Sequence, residues 1–180
     1  MTSILEVEQL DTLSSNASST LTIGGTNTTT IAFGPNVTTT PSSLAMTPAF
    51  RARNNADQSI SSTTWTKLSY NTENLDTDGC YDTSNSRFTP TTAGYYYIFV
   101  TTTLNGTTDF DDANLAFYFN GSRDQIATFR NSYYNSKMLS GIFNFNGSTD
   151  YIEAYIYLPQ SFNTYNTNKP TFGGYRIIGA

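Results

Sequence analysis

RFTPTTAGYYYIFV, residues 87–100, is a polar turn followed by an unbroken run of aromatic and aliphatic residues. In an extended strand successive side chains point to opposite faces, so this run is apolar on both of its faces. One face carries Tyr95, Tyr97 and Phe99, and the other carries Tyr96, Ile98 and Val100. A strand of a monomeric sandwich is typically apolar on one side only. We therefore predict that one face fills a sandwich core and that the other needs a separate cover.

A second strand with two apolar faces is predicted at YIEAYIYL, residues 151–158. One face is rich in tyrosine, and the other is aliphatic. The first consists of Tyr151, Tyr155 and Tyr157, and the second of Ile152, Ala154, Ile156 and Leu158. A sister subunit is the simplest cover for the tyrosine face, because no helical periodicity is present elsewhere. Tyrosine suits such an interface, since its ring is buried while its hydroxyl stays in water.

The rest of the chain after Thr47 has the same β-rich character, with about eight to ten such runs. The clearest are 48–53, 66–70, 95–104, 115–120, 125–129, 137–146, 151–159 and 171–178. Three Asn-Gly pairs separate some of them and suit type I′ hairpins, which need positive φ at both central residues. The pairs are Asn105–Gly106, Asn120–Gly121 and Asn146–Gly147. The pattern predicts an all-β sandwich.

Composition excludes several classes of function. The chain has 180 residues, a formal net charge of -5 and only 13% charged residues, so no basic patch for nucleic acid is expected. No apolar run is long enough to span a bilayer, so membrane insertion is not expected. The start, MTSILEVEQL, lacks the layout of a signal peptide. Histidine is absent, which excludes Ser-His-Asp and Cys-His nucleophiles and leaves only carboxylate-based hydrolysis as an enzymatic alternative.

The region before the β-rich part contains a ten-residue repeat, LTIGGTNTTT followed by IAFGPNVTTT, at residues 21–40. Each unit offers too few apolar residues to fold alone. We interpret the repeat as a stalk that is stable only when several chains wind together, with a disordered linker as the alternative. Its apolar positions are Leu21, Ile23, Ile31 and Phe33. The predicted organisation is a docking segment (1–12), a stalk or linker (13–47) and a head (48–180).

The β-rich part resembles the globular domain of the complement C1q and tumour necrosis factor superfamily. The matching pieces are PAFRAR, WTKLSYN with CYD, RFTPTTAGYYYIFV, LAFYFNGSRDQIAT, FNGSTDYIEAYIYLP and TFGGYRII. The resemblance implies a jelly roll of about ten antiparallel strands, a homotrimer and a binding function without catalysis. We assign eight aromatic residues to the core or the trimer interface: Tyr95, Tyr97, Phe99, Tyr151, Tyr155, Tyr157, Phe172 and Tyr175.

The segment before the head departs from the eukaryotic pattern, because collagen Gly-X-Y repeats are absent. A head of this kind behind a short Gly/Thr repeat looks like virion proteins of tailed phages. We therefore expect a trimeric protein on the virion surface, as a fibre tip or capsid decoration. Its N-terminus would dock on a capsid or tail protein, and its head would bind a host-surface glycan or protein. The alternatives are a capsid protein with a mainly stabilising role and a cellular C1q-like lectin or ligand.

Two loop regions hold candidate site residues. Asp76, Asp78 and Asp82 offer hard oxygen ligands for Ca²⁺, although a solvated turn is the alternative and no other cofactor is expected. The acidic group Asp109, Asp111 and Asp112 is read as an exposed loop. Cys80, the single cysteine, is expected to be a buried or idle thiol.

The segments 130–138 and 159–170 combine tyrosine, asparagine and serine, as antibody paratopes do. Tyrosine gives rigid contact area, and asparagine and serine give adaptable hydrogen bonds. The predicted receptor contacts are Tyr133, Tyr134, Phe162, Tyr165 and Asn166. Ordinary loop or inter-subunit packing is the alternative for these residues.

Overall fold

A computed structural model describes residues 46–105, 109–131 and 136–177. These residues form a β-sandwich, with one short 3₁₀ turn at Asn166–Asn168. The long strands are β1 (Ala49–Arg53), β4 (Thr72–Asp76), β7 (Gly94–Thr103), β8 (Phe110–Phe119), β9 (Ser122–Asn131), β10 (Ser136–Phe145), β11 (Ile152–Tyr157) and β13 (Thr171–Arg176). The two-residue strands are β2 (Ser59–Ile60), β3 (Thr66–Lys67), β5 (Tyr81–Asp82), β6 (Arg87–Phe88) and β12 (Phe162–Asn163).

Two antiparallel sheets form the sandwich, which confirms the predicted fold class. One has the order β10-β7-β13-β1-β4, and we call it the front sheet. The other, the back sheet, has the order β5-β6-β11-β8-β9, with β3 also paired to β11. In the front sheet β13 lies between β1 and β7, with Ala49 opposite Tyr175 and Tyr175 opposite Tyr97. Strands β12 and β2 form a separate two-stranded ribbon.

The core between the sheets consists mainly of aromatic and branched side chains. On β7 the alternation is as predicted, because Tyr96, Ile98 and Val100 are fully buried and face inward. On β11 the aliphatic face is likewise inward and fully buried. Phe50 anchors the centre, with its ring stacked on Phe88 at a centroid distance of 4.2 Å. Burial of these side chains supplies most of the stabilisation of such a sandwich.

The Asn-Gly turns differ from one another. Asn120 (φ 51°) and Gly121 (φ 77°) both have positive φ in the β8–β9 connection, as a type I′ hairpin requires. The prediction of the same turn at Asn146–Gly147 is wrong, because β10 and β11 belong to different sheets. There the Asn146 side chain accepts hydrogen bonds from the amides of Ser148 and Thr149, each at 2.9 Å. The chain thus crosses between sheets instead of folding back as a hairpin.

Several predictions fall outside the described residues. They concern the docking segment, the stalk residues Leu21, Ile23, Ile31 and Phe33, the pair Asn105–Gly106 in part, and Tyr133 and Tyr134. Within the described ranges, no helix has the length and apolar character needed to cross a membrane.

Candidate functional site

The aromatic residues that the sequence assigned to core or interface divide among three places. Tyr95, Tyr97, Phe99 and Tyr175 lie on the outer face of the front sheet, as the pairing of β7 with β13 shows. Tyr155 and Tyr157 lie on the outer face of β11 in the back sheet, and Tyr151 directly precedes this strand. Phe172 lies in the core and is fully buried. The eight residues therefore do not form one continuous surface.

The outer face of the front sheet is apolar and open. One row across the strands consists of Ile142, Tyr97, Tyr175 and Ala49. The next row consists of Ser140, Phe99, Gly173, Arg51 and Leu75. Ile142 is 59% exposed and Leu75 is 48% exposed, although both are large aliphatic residues. An apolar depression of about 310 Å³ adjoins these rows, and the residues that line it include Met46, Leu75, Phe99 and Tyr175.

Gly173 leaves room for the ring of Phe99 in this face. A Cβ atom at Gly173 would approach Phe99 Cζ to 2.6 Å, so the ring occupies the space that a side chain would need. The absence of a side chain on β13 therefore lets the ring of β7 cover the neighbouring strand.

The outer face of the back sheet contains a buried carboxylate among aromatic rings. Glu153 of β11 is only 3% exposed, and its Oε1 accepts from Arg87 Nε at 2.8 Å and from Lys67 Nζ at 3.2 Å. Its Oε2 accepts from the Tyr155 hydroxyl at 3.2 Å. Arg87 in turn lies over the Tyr151 ring, with its Cζ 3.8 Å from the centroid. A buried charge needs such partners, because desolvation of an unpaired carboxylate is costly.

Tyr155 couples this network to the rest of the aromatic face. Its ring stacks on Tyr118 with a centroid distance of 3.9 Å. Burial raises the pKa of the Tyr155 hydroxyl to about 12, and the negative charge of Glu153 acts in the same direction. The hydroxyl therefore stays protonated and serves as a hydrogen-bond donor to Glu153 near neutral pH.

Trp65 extends the aromatic face beyond the short strand β3. Its ring centroid lies 5.6 Å from that of Tyr157 and 6.0 Å from that of Tyr118, in tilted arrangements. Arg123 of β9 lies over the Trp65 ring, with its Cζ 5.1 Å from the centroid. Trp65, Tyr157 and Arg123 line a second depression of about 310 Å³ together with Asn114 and Ile126.

The three aspartates proposed for Ca²⁺ are used by the local backbone. Asp76 accepts from the amides of Asp78, Cys80 and Tyr81. Asp82 accepts from Ser84 and Asn85, and these hydrogen bonds lower its pKa to about 2. In the described part of the chain, no three His, Cys, Asp or Glu side chains are grouped so as to hold a metal ion. The structure therefore does not bring Asp76, Asp78 and Asp82 together as a ligand set.

The other acidic group and the cysteine show ordinary structural contacts. The loop prediction is wrong for Asp111 and Asp112, which lie within β8. Asp111 pairs with Arg130 at 3.1 Å, and both side chains are well exposed. Asp112 has φ 62° at an irregular part of the β8–β9 pairing. Cys80 is buried and free, as predicted, with its Sγ 3.6 Å from the hydroxyl of Thr91.

The predicted receptor contacts that the structure describes lie around the small ribbon. Phe162 pairs with Ile60 in the β12–β2 ribbon and packs against the core. The amide of Tyr165 donates to the Thr103 carbonyl at 2.8 Å. The Asn166 side chain donates to the Asn55 carbonyl at 3.0 Å, and its amide donates to Asp57. These contacts fix the loop, and the receptor role of Phe162, Tyr165 and Asn166 stays a prediction.

Sequence reasoning missed several residues on the outer faces of the two sheets. Met138 and Ile142 alternate with inward residues on β10, so period-two alternation would have placed them on the outer face. The Glu153 network had no comparable signal, because its partners Lys67 and Arg87 are 86 and 66 residues away in sequence.

Comparison with known proteins shows the fold. No protein-family model and no curated protein sequence matches the chain. Similar solved structures include the globular domain of a zebrafish complement 1qA protein, with a TM-score of 0.53 and 15% identity over 72% of this chain and 97% of that chain. Murine APRIL matches with a TM-score of 0.54 and 14% identity over 72% and 98%. Eiger TNF from S. frugiperda matches with 0.52 and 12% identity over 73% and 93%.

These likenesses define the class of the domain. The two sheets form a jelly-roll sandwich of the C1q and TNF type, in agreement with the resemblance of its sequence motifs. At such low identity the comparisons show the fold alone.

Proposed function

We propose that the protein is a homotrimeric, non-enzymatic binding domain. The observation that carries this proposal is the open apolar face of the front sheet. The described residues include seven large hydrophobic side chains that are exposed, and Ile126 is the one that lies on the back sheet. The others lie on or beside the front sheet: Met46, Leu75, Tyr95, Met138, Ile142 and Tyr175.

A further copy of the same chain is the simplest partner for this face. Contiguous exposed apolar surface on a soluble domain typically marks an interaction site. Closed rotational symmetry covers such a surface in every copy and leaves none exposed to aggregation. A trimer also agrees with the jelly-roll fold, since homotrimers are typical of C1q and TNF domains. Such domains typically bind receptors, which agrees with the proposed binding function.

Sedimentation analysis of the protein tests the oligomeric state. We expect a trimer at micromolar concentration and dissociation on Ile142→Lys, because the new ammonium would be desolvated in the interface. Ile126→Lys is the matched control, since it places the same change on the back sheet. A folded monomer of the unaltered protein would contradict the proposal, and so would equal effects of the two substitutions.

We extend the proposal to a location on the surface of a phage particle, as a fibre tip or a capsid decoration, with the head facing a host-surface receptor. Support comes from the repeat at 21–40, which suits a stalk, and from the aromatic residues Phe162 and Tyr165 in the segment 159–170. A capsid-stabilising role and a cellular C1q-like ligand are the competing functions. Labelling of particles with an antibody against the head tests the location: label on the tail supports a fibre tip, label on the shell leaves decoration and capsid stabilisation to be separated by the stability of particles that lack the protein, and no label on any particle contradicts a virion location.

A further inference from the structure

The depression around Trp65 on the back sheet has the composition of a small ligand site. We call it the Trp65 site and define it by Trp65, Asn114, Arg123, Ile126 and Tyr157. Its volume of about 310 Å³ is at the small end of the range for ligand sites, roughly 300–1,000 Å³. It is therefore suited to one or two rings of a small molecule and not to a folded partner.

Positions on three adjacent strands and on the segment before β3 form the site. Asn114 of β8 is the register partner of both Tyr157 on β11 and Thr128 on β9. Trp65 directly precedes β3, which pairs with β11 on its other side. Sheet positions hold side chains more precisely than loops do, so the site is preorganised.

Asn114 is held in one orientation by two hydrogen bonds. Its Nδ2 donates to the Asp112 carbonyl at 2.9 Å, and its Oδ1 accepts from the Thr128 hydroxyl at 2.6 Å. A carboxamide has two N–H groups and two acceptor lone pairs, so one donor and one acceptor remain for a ligand. The amide is thus a fixed polar group at the edge of an aromatic surface.

Arg123 differs from the other cations of this face in its partners. Lys67 and Arg87 both pair with Glu153, and Arg130 pairs with Asp111. Among the residues that the structure describes, no carboxylate forms an ion pair with Arg123, which instead lies over the Trp65 ring. The guanidinium is planar and matches a carboxylate with two parallel hydrogen bonds.

We infer that the Trp65 site binds a sugar ring that carries a carboxylate. The apolar side of the ring stacks on Trp65 and Tyr157, its hydroxyls exchange hydrogen bonds with Asn114, and its carboxylate pairs with Arg123. Such an amphipathic ligand satisfies the aromatic and the cationic parts of the site together. This inference deepens the proposed binding function and rests on it, because three copies of a shallow site gain by avidity on a polysaccharide surface.

Fluorescence titration tests the inference directly, since Trp65 is the single tryptophan of the chain. Galacturonic and glucuronic acids are titrated beside galactose and glucose, which keep the same rings without the carboxylate. We expect a saturable change of emission with the two acids and an affinity at least about tenfold above that for the neutral sugars, the effect of one charge-assisted hydrogen bond. No change with either acid, or equal affinity for acidic and neutral sugars, would overturn the inference.

Two variants locate the site. Arg123→Gln should lower the affinity for the acids about tenfold, whereas Arg130→Gln, the same change on the same strand, should leave it unaltered. Trp65→Leu should abolish binding as measured by saturation-transfer NMR on the sugar. Undiminished binding of the uronic acids by Arg123→Gln would overturn their assignment to the Trp65 site. Sedimentation of the same samples separates the two proposals: a trimer that binds no uronic acid refutes the inference alone, and a monomer that binds it refutes the trimer alone.

Discussion

Glu153 is the charged residue on which the outer face of the back sheet depends. It occupies a position of β11 where the alternation of the strand otherwise places tyrosines, and it is buried with two cations and one hydroxyl around it. Lys67 and Arg87 remain about one-third exposed, so water still solvates part of their charge. Removal of its partners would therefore destabilise the carboxylate more than any other member of the network, because its charge is buried and water cannot replace them.

Glu153→Gln should lower the free energy of unfolding by about 1–3 kcal/mol, because charge-assisted hydrogen bonds become neutral ones and two cations lose their counterion. Urea unfolding at one fixed protein concentration measures the change. Asp111→Asn is the control, since the Asp111–Arg130 pair is exposed and should contribute less than about 1 kcal/mol. Equal losses in the two variants would show that burial does not strengthen the Glu153 network.

The connections between strands contain two glycines with similar positive φ values but different surroundings, and one of them, Gly147, lies between β10 and β11. Gly147 has φ 74°, and a Cβ atom there would meet the backbone of Thr92 and Ala93. Gly79 has a similar φ of 65°, but a Cβ atom there would meet nothing within 4 Å. Substitution of Gly79 therefore tests the cost of the backbone conformation alone, whereas substitution of Gly147 tests that cost together with the cost of a steric clash.

Gly79→Ala should destabilise the protein by about 1–2 kcal/mol, the cost of the left-handed conformation for a residue with a side chain. Gly147→Ala should lower the free energy of unfolding by a further amount of about 1–3 kcal/mol relative to Gly79→Ala, because two backbone segments must also move apart. Thermal unfolding of the two variants beside the parent protein measures both values. The explanation fails if the two substitutions have the same effect.

The strands that sequence could predict are those with strict alternation. β7 and β11 have unbroken apolar faces, so alternation alone assigns their inward residues. The two-residue strands β2, β5, β6 and β12 have no such signal, because two residues are too few to alternate and only pairing with other strands defines them, and β3 covers only the first two residues of the predicted run 66–70. The same limit explains the turns: Asn120–Gly121 and Asn146–Gly147 are identical dipeptides, and only the sheet to which the next strand belongs distinguishes them.

Candidate functional residues were harder to predict than strands. The aromatic faces followed from alternation, but the sequence could not tell that Tyr97 and Tyr155 lie on opposite sides of the sandwich. Trp65 and Arg123 are 58 positions apart, a separation that spans several strands. Proximity of that kind comes from sheet order and register, which single-sequence patterns do not encode.

At the scale of the whole molecule, buried tyrosines link stability to alkaline pH. Burial raises the pKa of Tyr96 to about 12 and that of Tyr155 to about 12, and it raises the pKa of Tyr70 and Tyr81 as well. The hydroxyls of Tyr70, Tyr81 and Tyr96 donate to backbone carbonyls, so ionisation would also remove these hydrogen bonds. The folded state therefore holds these protons more tightly than the unfolded chain does.

The unfolded pKa of tyrosine is about 10, so this stabilisation is complete below pH 10 and declines as the pH rises through 12. We expect the free energy of unfolding to fall steadily over that interval, and we expect the tyrosinate absorbance of these four residues to appear late and together with unfolding. Tyr155→Phe should make the decline shallower, because one of the contributing groups is removed. Ionisation of every tyrosine near pH 10 in a protein that stays folded would contradict this expectation.

The place of β13 in the front sheet has a consequence for how the domain is made in the cell. β13, the last of the described strands in chain order, lies between β1 and β7, so neither neighbour obtains its full set of pairings until residues 171–176 have left the ribosome. The nascent chain must carry Phe50, Ile98 and the other core residues uncovered during that time. Folding of this topology is consequently a late and non-local event, and a chain that stops short of residue 171 lacks the strand that joins the two halves of the sheet.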